Sequence, residues 1–317
     1  MDRKIEFIIN TSELTAGTRG ASLGPGAIMA AARKQNNFLF GQLPIHPLPD
    51  YNYYIDQPTQ TPFAKRIDGY THVFHSIAGK TKQLLEAGKF PFVLAADHGS
   101  AAGTIAGIKA AFPEKRLGVV WIDAHGDLHS PYTTPSGNMH GMPLAICLND
   151  PNLDCQRNGV DTVTSDQWNA LCTSFQQAPK VIPTDLVFVA VRDTEPEEDA
   201  LMDKWNITNH KVESVRSLGA LEIVDQIHDQ LADCDLIYIS FDVDSMDPQL
   251  TSFGTGTPVG NGLFPEEAQE ILTLLAQNTK TVCIEFVEVN PCLDNKLNTM
   301  AETTFSILAK VVTAINS

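Results

Sequence analysis

Long apolar runs are missing from this 317-residue chain. None approaches the ~20 residues that a helix needs to span a bilayer, so a helical membrane protein is excluded. Positive charge is scarce as well: 22 Lys and Arg stand against 38 Asp and Glu, for a net charge of −16. Nucleic acid is therefore not an expected partner, because phosphate binding needs clustered bases. The six cysteines contain no C-x-x-C pair, which argues against a zinc cluster and for reduced thiols. The N-terminal stretch has charges of both signs and no apolar signal core. Together these features predict a cytoplasmic protein.

What is present is ordinary for a soluble globular chain, with 43% hydrophobic and 19% charged residues. No linker, repeat or low-complexity tract divides it, and residues 1–317 are read as a single domain. Short apolar runs of the buried-strand type occur at Lys4 to Ile9, Phe90 to Ala96, Leu117 to Ile122, Leu186 to Val191, Leu236 to Phe241 and Thr281 to Val287. A short strand at Ile45 to Leu48 and another at Lys211 to Val215 are also expected. Helical periodicity predicts helices over Pro25 to Arg33, His72 to Ala87, Ala101 to Ala111, His140 to Leu148, Glu198 to Trp205, Leu218 to Leu231, Pro265 to Gln277 and Asn298 to Ile315. The stretch from Leu148 to Pro183 reads as less regular. Strand and helix alternate, which implies an α/β fold: a mainly parallel sheet flanked by helices on both faces.

In such folds ligands sit beyond the carboxyl ends of the strands. His98, Asp123, Asp127, Glu198, Asp242 and Glu288 all follow predicted strand ends. Asp123, His125 and Asp127 occupy alternate positions, which in an extended chain point to one side. Asp242-Val243-Asp244 repeats that pattern. Two imidazoles and four carboxylates are too many for one transition metal and suit two. Oxygen-rich ligation with some histidine favours Mn(II), with Co, Ni, Fe and Zn left open.

Asp97-His98, Asp123-Ala124-His125-Gly126-Asp127 and Ser240-Phe241-Asp242-Val243-Asp244-Ser245-Met246-Asp247-Pro248 resemble, in order and spacing, the three metal signatures of the arginase (ureohydrolase) family. That family includes arginases, agmatinases and formiminoglutamases, and the resemblance is closest to arginase. It implies two Mn(II) ions per subunit and hydrolysis of L-arginine to L-ornithine and urea by a hydroxide shared between the metals. It further implies that His98 and Asp123 hold one ion and that His125 and Asp244 help hold the other, with Asp127 and Asp242 shared. Asp127 would carry the proton, Glu288 would pair with the guanidinium and His140 would shuttle protons. Thr134, Ser136 and Asn138, on a loop rich in hydroxyl and amide donors, would hold the α-carboxylate of the substrate.

Several positions depart from the family pattern. His129 stands where asparagine is usual, and Glu195 replaces an aspartate that would hold the α-amino group, while Glu198 matches. Ala95 and Ala96 replace glycines, and the loop Gln249 to Gly254 is one residue longer. These changes bear on the substrate, and agmatine, formiminoglutamate or another guanidino acid is the alternative. A non-catalytic arginine-binding protein is a further alternative, although every metal ligand is present. A metallophosphoesterase also begins Asp-x-His but needs Gly-Asn-His, and here Gly137-Asn138 precedes Met139 and Gly260-Asn261 precedes Gly262. A small cationic guanidino substrate and a homo-trimer or homo-hexamer are expected from the resemblance.

Overall fold

A computed structural model describes residues 3–316. The chain opens with β1 (Lys4–Asn10), followed by α1 (Gly24–Lys34), α2 (Leu39–Gln42) and β2 (Ile45–Pro47). Pro25 sits in the first turn of α1, where its missing N–H costs nothing. Pro47 is tolerated because β2 is an edge strand. Next come α3 (Ile67–Glu86), β3 (Lys89–Ala95), α4 (Ser100–Ala111), β4 (Leu117–Ile122), α5 (Pro143–Leu148) and α6 (Thr162–Cys172). The second half holds β5 (Leu186–Val189), α7 (Pro196–Trp205), β6 (Thr208–His210), α8 (Val212–Leu218), α9 (Ala220–Gln230), β7 (Leu236–Asp242), α10 (Pro265–Gln277), β8 (Thr281–Val287) and α11 (Thr299–Ala314).

All eight strands form one parallel sheet in the order β2-β1-β3-β8-β7-β4-β5-β6. Alternate side chains feed two apolar layers. On one face Phe7, Phe92, Ile122, Phe241 and Phe286 pack with α1, α9, α10 and α11. On the other Ile8, Val93, Trp121 and Tyr238 pack with α3, α4, α5 and α6. Because both faces are covered, the central strands are apolar throughout rather than alternating. The strands made last, β7 and β8, insert between β3 and β4. The carboxyl ends of these four central strands therefore share one rim, at the point where strand order reverses.

Several expected boundaries move. The strand expected at Lys211 to Val215 is instead β6, three residues long and ending at His210, and Val212 begins α8. Gly219, at φ 84, separates α8 from α9, so the helix expected from Leu218 starts at Ala220. Helix α3 begins five residues before His72. The segment from His140 opens as a single 3₁₀ turn, and α5 starts only at Pro143. Helix α6 lies in the stretch read as irregular, capped by Asp161, whose side chain accepts from Thr164 N.

Candidate active site

Strand β3 delivers His98, β4 delivers Asp123 and its followers, β7 delivers Asp242 and Asp244, and β8 delivers Glu288. His98 Nδ1 lies 2.9 Å from Asp123 Oδ2, 3.1 Å from Asp127 Oδ2 and 3.2 Å from Asp242 Oδ2. His125 Nδ1 lies 3.2 Å from Asp244 Oδ2 and 3.5 Å from Asp123 Oδ1. The two oxygens of Asp123 thus face two separate donor groups, His98-Asp123-Asp127 and Asp123-His125-Asp244. Asp123 falls in both donor groups and Asp127 in the His98 group, where the resemblance implies Asp127 and Asp242 as the shared ligands. The reason is local. Strand β4 stops at Ile122, and Asp127 sits at φ 51, so the motif is a turn and not a continued strand.

The donor set fits metal. His98 Nδ1 is buried and makes no hydrogen bond, although three carboxylate oxygens crowd it. A nitrogen so placed presents its lone pair to a shared cation. The other ring nitrogen, Nε2, is 2.7 Å from Ser240 Oγ, and the ring stacks on Trp121 at 4.0 Å and 5°. The carboxylates are aimed by their surroundings. Trp121 Nε1 and His125 N donate to Asp123, Asp244 N donates to Asp242, and Ala124 N and Thr257 Oγ1 donate to Asp244. Burial, then the charges of Asp244 and Asp123, push Asp242 well above the usual carboxylate range. Burial and Asp123 likewise push Asp127 up. For His98, burial acts against protonation, and the three neighbouring carboxylates outweigh it and raise the imidazole. Buried like charges at this density call for positive charge among them.

A cavity of about 120 Å³ opens on this cluster and is lined by His98, His125, Asp127, His129, Thr134, Ser136, Asn138, His140, Glu195, Glu198, Asp242 and Thr257. Asp123, Asp244 and Glu288 stand behind that lining. Glu288, at φ 67, accepts from His98 N at 2.9 Å, and its Oε1 is 3.4 Å from His140 Nδ1. Burial opposes protonation of His140 and Glu288 overcomes it, so the imidazole is raised. Backbone strain at Asp127 and Glu288 is typical of positions fixed by function.

His129 does not stand free to meet a ligand: Nδ1 is 3.1 Å from Thr133 Oγ1 and Nε2 is 3.0 Å from Glu195 Oε2. Glu195 and Glu198 form a capping box at the start of α7, and Leu128 N donates to Glu198 Oε1. The hydrogen bond from His129 holds Glu195 down to about 2. Burial lifts Glu198 to about 8.

Ser240, Trp121 and Thr257 position ligand side chains without being candidate ligands themselves. Ser240 precedes Asp242 by two residues and so lies on the same face of β7. Trp121 stands in the same two-residue relation to Asp123, whereas Thr257 reaches Asp244 only through tertiary approach. The Arginase family model matches residues 7–314. This chain belongs to the arginase family. The arginase of Bacillus subtilis (strain 168) is 30% identical over 309 residues, 94% of each chain. The solved arginase of Bacillus caldovelox superposes with a TM-score of 0.81 at 28% identity over 98% of each chain. The fold is also shared with the formimidoylglutamase of Bacillus subtilis, at TM-score 0.74 and 19% identity, covering 100% of this chain and 88% of that one.

Proposed function

We propose that this protein hydrolyses L-arginine to L-ornithine and urea with two Mn(II) ions. The observation that carries the reading is Asp123, whose two oxygens face two histidine-bearing donor groups beside the cavity that His98, His125 and Asp127 line. His98, Asp123, Asp127 and Asp242 would hold one ion, and Asp123, His125, Asp242 and Asp244 the other. When bound, such a pair supplies a hydroxide nucleophile at neutral pH.

The rest of the chemistry belongs to side chains. Glu288, buried behind His140, would orient the guanidinium, and Asp127 would take the nucleophile's proton and return it to the leaving amine. His140, at the cavity wall and braced by Glu288, would pass protons between the site and solvent. Thr134, Ser136 and Asn138 would offer donors to an α-carboxylate, and Glu195 and Glu198 would accept from an α-amino group. His129 would act by holding Glu195 rather than by touching the carboxylate. The polar loop favours an amino acid over its decarboxylated amine, which keeps the amino group but has no carboxylate for Thr134, Ser136 and Asn138 to hold. The 30% identical relative is an arginase, which supports the same choice.

A panel of arginine, agmatine and a formimino acid, each tested with Mn(II), Co(II) and Ni(II) and assayed for urea, ammonia and formamide, separates the substrates. Urea from arginine with Mn(II) is expected. Formamide from the formimino acid, with no urea from arginine, would transfer the assignment to that branch. We further propose a cytoplasmic homo-trimer or homo-hexamer, for which light scattering gives the mass.

A further inference from the structure

Across Asn138 from the cavity above lies a second one of about 360 Å³, lined by Glu13, Thr18, Arg19, Lys65, Arg66 and Asn138. Three cations meet here in a chain with a net charge of −16. Arg19 is already committed, with Nε 3.0 Å from Glu13 Oε1 and Nη1 3.4 Å from Asp56 Oδ1. Lys65 and Arg66 have no acidic partner among the described residues. Lys65 Nζ donates to the neutral Asn138 Oδ1 at 3.3 Å. Arg66 Nη1 reaches only the Leu14 carbonyl, at 3.5 Å, and Arg66 Nε is buried with no acceptor. A buried guanidinium N–H left unmet is costly, and an anion would satisfy it.

The placement is rigid. Lys65 N donates to Gly137 O at 2.8 Å, tying the cationic segment to the loop that carries Ser136 and Asn138. Gly137 adopts φ +75, and a Cβ there would stand 1.9 Å from Pro62 O, so no larger residue fits the junction. From the other side Gly17 packs on Asn138, where a Cβ would come within 2.7 Å of Nδ2. Arg66 itself is held at φ 59, a conformation rare for a side chain of its size.

We propose that Lys65 and Arg66 form an anion subsite that adjoins the substrate cavity across Asn138 and takes a carboxylate or phosphate group. The planar guanidinium offers a paired-donor fork and the ammonium a mobile point charge. The anion has two sources. It is either an additional acidic group on the substrate, beyond any group held by Thr134 and Ser136, or a free anion acting as effector. The substrate-borne form rests on the guanidino-hydrolase reading above; the free-anion form does not.

The test uses the Mn(II)-loaded protein and its Lys65→Gln and Lys65→Gln/Arg66→Gln variants, with metal content and melting temperature recording that each is folded. Turnover of arginyl-aspartate is compared with that of arginyl-asparagine, and inorganic phosphate is titrated calorimetrically. A substrate-borne anion predicts that the wild type favours the aspartyl dipeptide by about ten-fold in kcat/KM, the scale of one charge-assisted hydrogen bond, and that the preference collapses toward one in Lys65→Gln. A free anion predicts phosphate binding that weakens in both variants, with no dipeptide preference. The phosphate arm needs no turnover, so it stands even if no guanidino compound yields urea, and it decides the matter if neither dipeptide is cleaved. Phosphate binding that is absent or indifferent to both substitutions, without a charge preference between dipeptides, overturns the proposal.

Discussion

At the residue scale, Asp127, Ser240 and Glu198 are each held by contacts that a single substitution would break. Asp127 Oδ2 faces His98, and its turn conformation aims it into the cavity. Asp127→Asn should lower kcat by about 10²- to 10⁴-fold, the range for a lost acid–base group. Metal analysis accompanies that measurement: if the metal is lost along with the rate, the residue serves chiefly as a ligand. Ser240→Ala removes the partner of His98 Nε2. Metal affinity should fall by about 10- to 100-fold, read by titrating the chelated protein; an unchanged affinity would show that Trp121 stacking alone orients the ring. Glu198 supplies a pH test. Burial raises it from 4.5 to about 8, so the folded chain keeps a proton that the unfolded chain releases across that interval. Its contribution to stability is fully present below 4.5 and is lost as pH rises through about 8. Glu198→Gln stays neutral, so it should gain on the wild type as pH rises from about 5 to about 8 in melts of both proteins. Parallel melts would contradict the assignment. Glu195 does not interfere in that window, because its shift runs downward from 4.5.

At the scale of elements, Gly103 and Gly107 let α4 approach α3. A Cβ on Gly107 would meet Ala78 O at 2.6 Å, and one on Gly103 would meet Phe74 O at 2.8 Å. Gly107→Ala gains about 1 kcal/mol of helix propensity but must displace backbone, at a cost of about 1–3 kcal/mol. The clash outweighs the gain, so the variant should unfold at lower denaturant or temperature, and a stabilised variant would show that the helices part easily. The same scale explains what the sequence made legible. Central strands such as Leu117–Ile122 and Thr281–Val287 were readable because apolar layers cover both faces and leave unbroken hydrophobic runs. Edge strand β6 is hard to place from sequence because its three residues, Thr208–His210, carry no such run. Helix α6 leaves little apolar periodicity because its polar sequence buries only a few residues, Trp168 and Leu171 among them. In the site, spacing at strand ends makes legible which donor side chains gather. That Asp123 falls in both donor groups is not legible there, because it depends on where β4 stops and on the positive φ of Asp127.

At the scale of the whole molecule, four carboxylates and two histidines from three strands converge at the rim of a sheet that the final strands complete. The chain's net charge of −16 adds to the repulsion that a cation pair would relieve. Ligation across β3, β4 and β7 should therefore stabilise the fold as well as equip it for chemistry. Mn(II) at 100 times its dissociation constant is expected to add about 2.7 kcal/mol per site, seen as a rise in melting temperature over the chelated protein. No helix among the described residues is long and apolar enough to cross a membrane. The central claim is that two metal ions at this rim make the chain a hydrolase of arginine. Stepwise addition of Mn(II) to chelated protein, with bound metal and urea release from L-arginine followed together, tests it most directly. The account predicts no urea from the chelated protein, activity that reaches its plateau as a second ion binds each chain, and one ornithine for each urea. Full occupancy of both positions with no urea from arginine would contradict it.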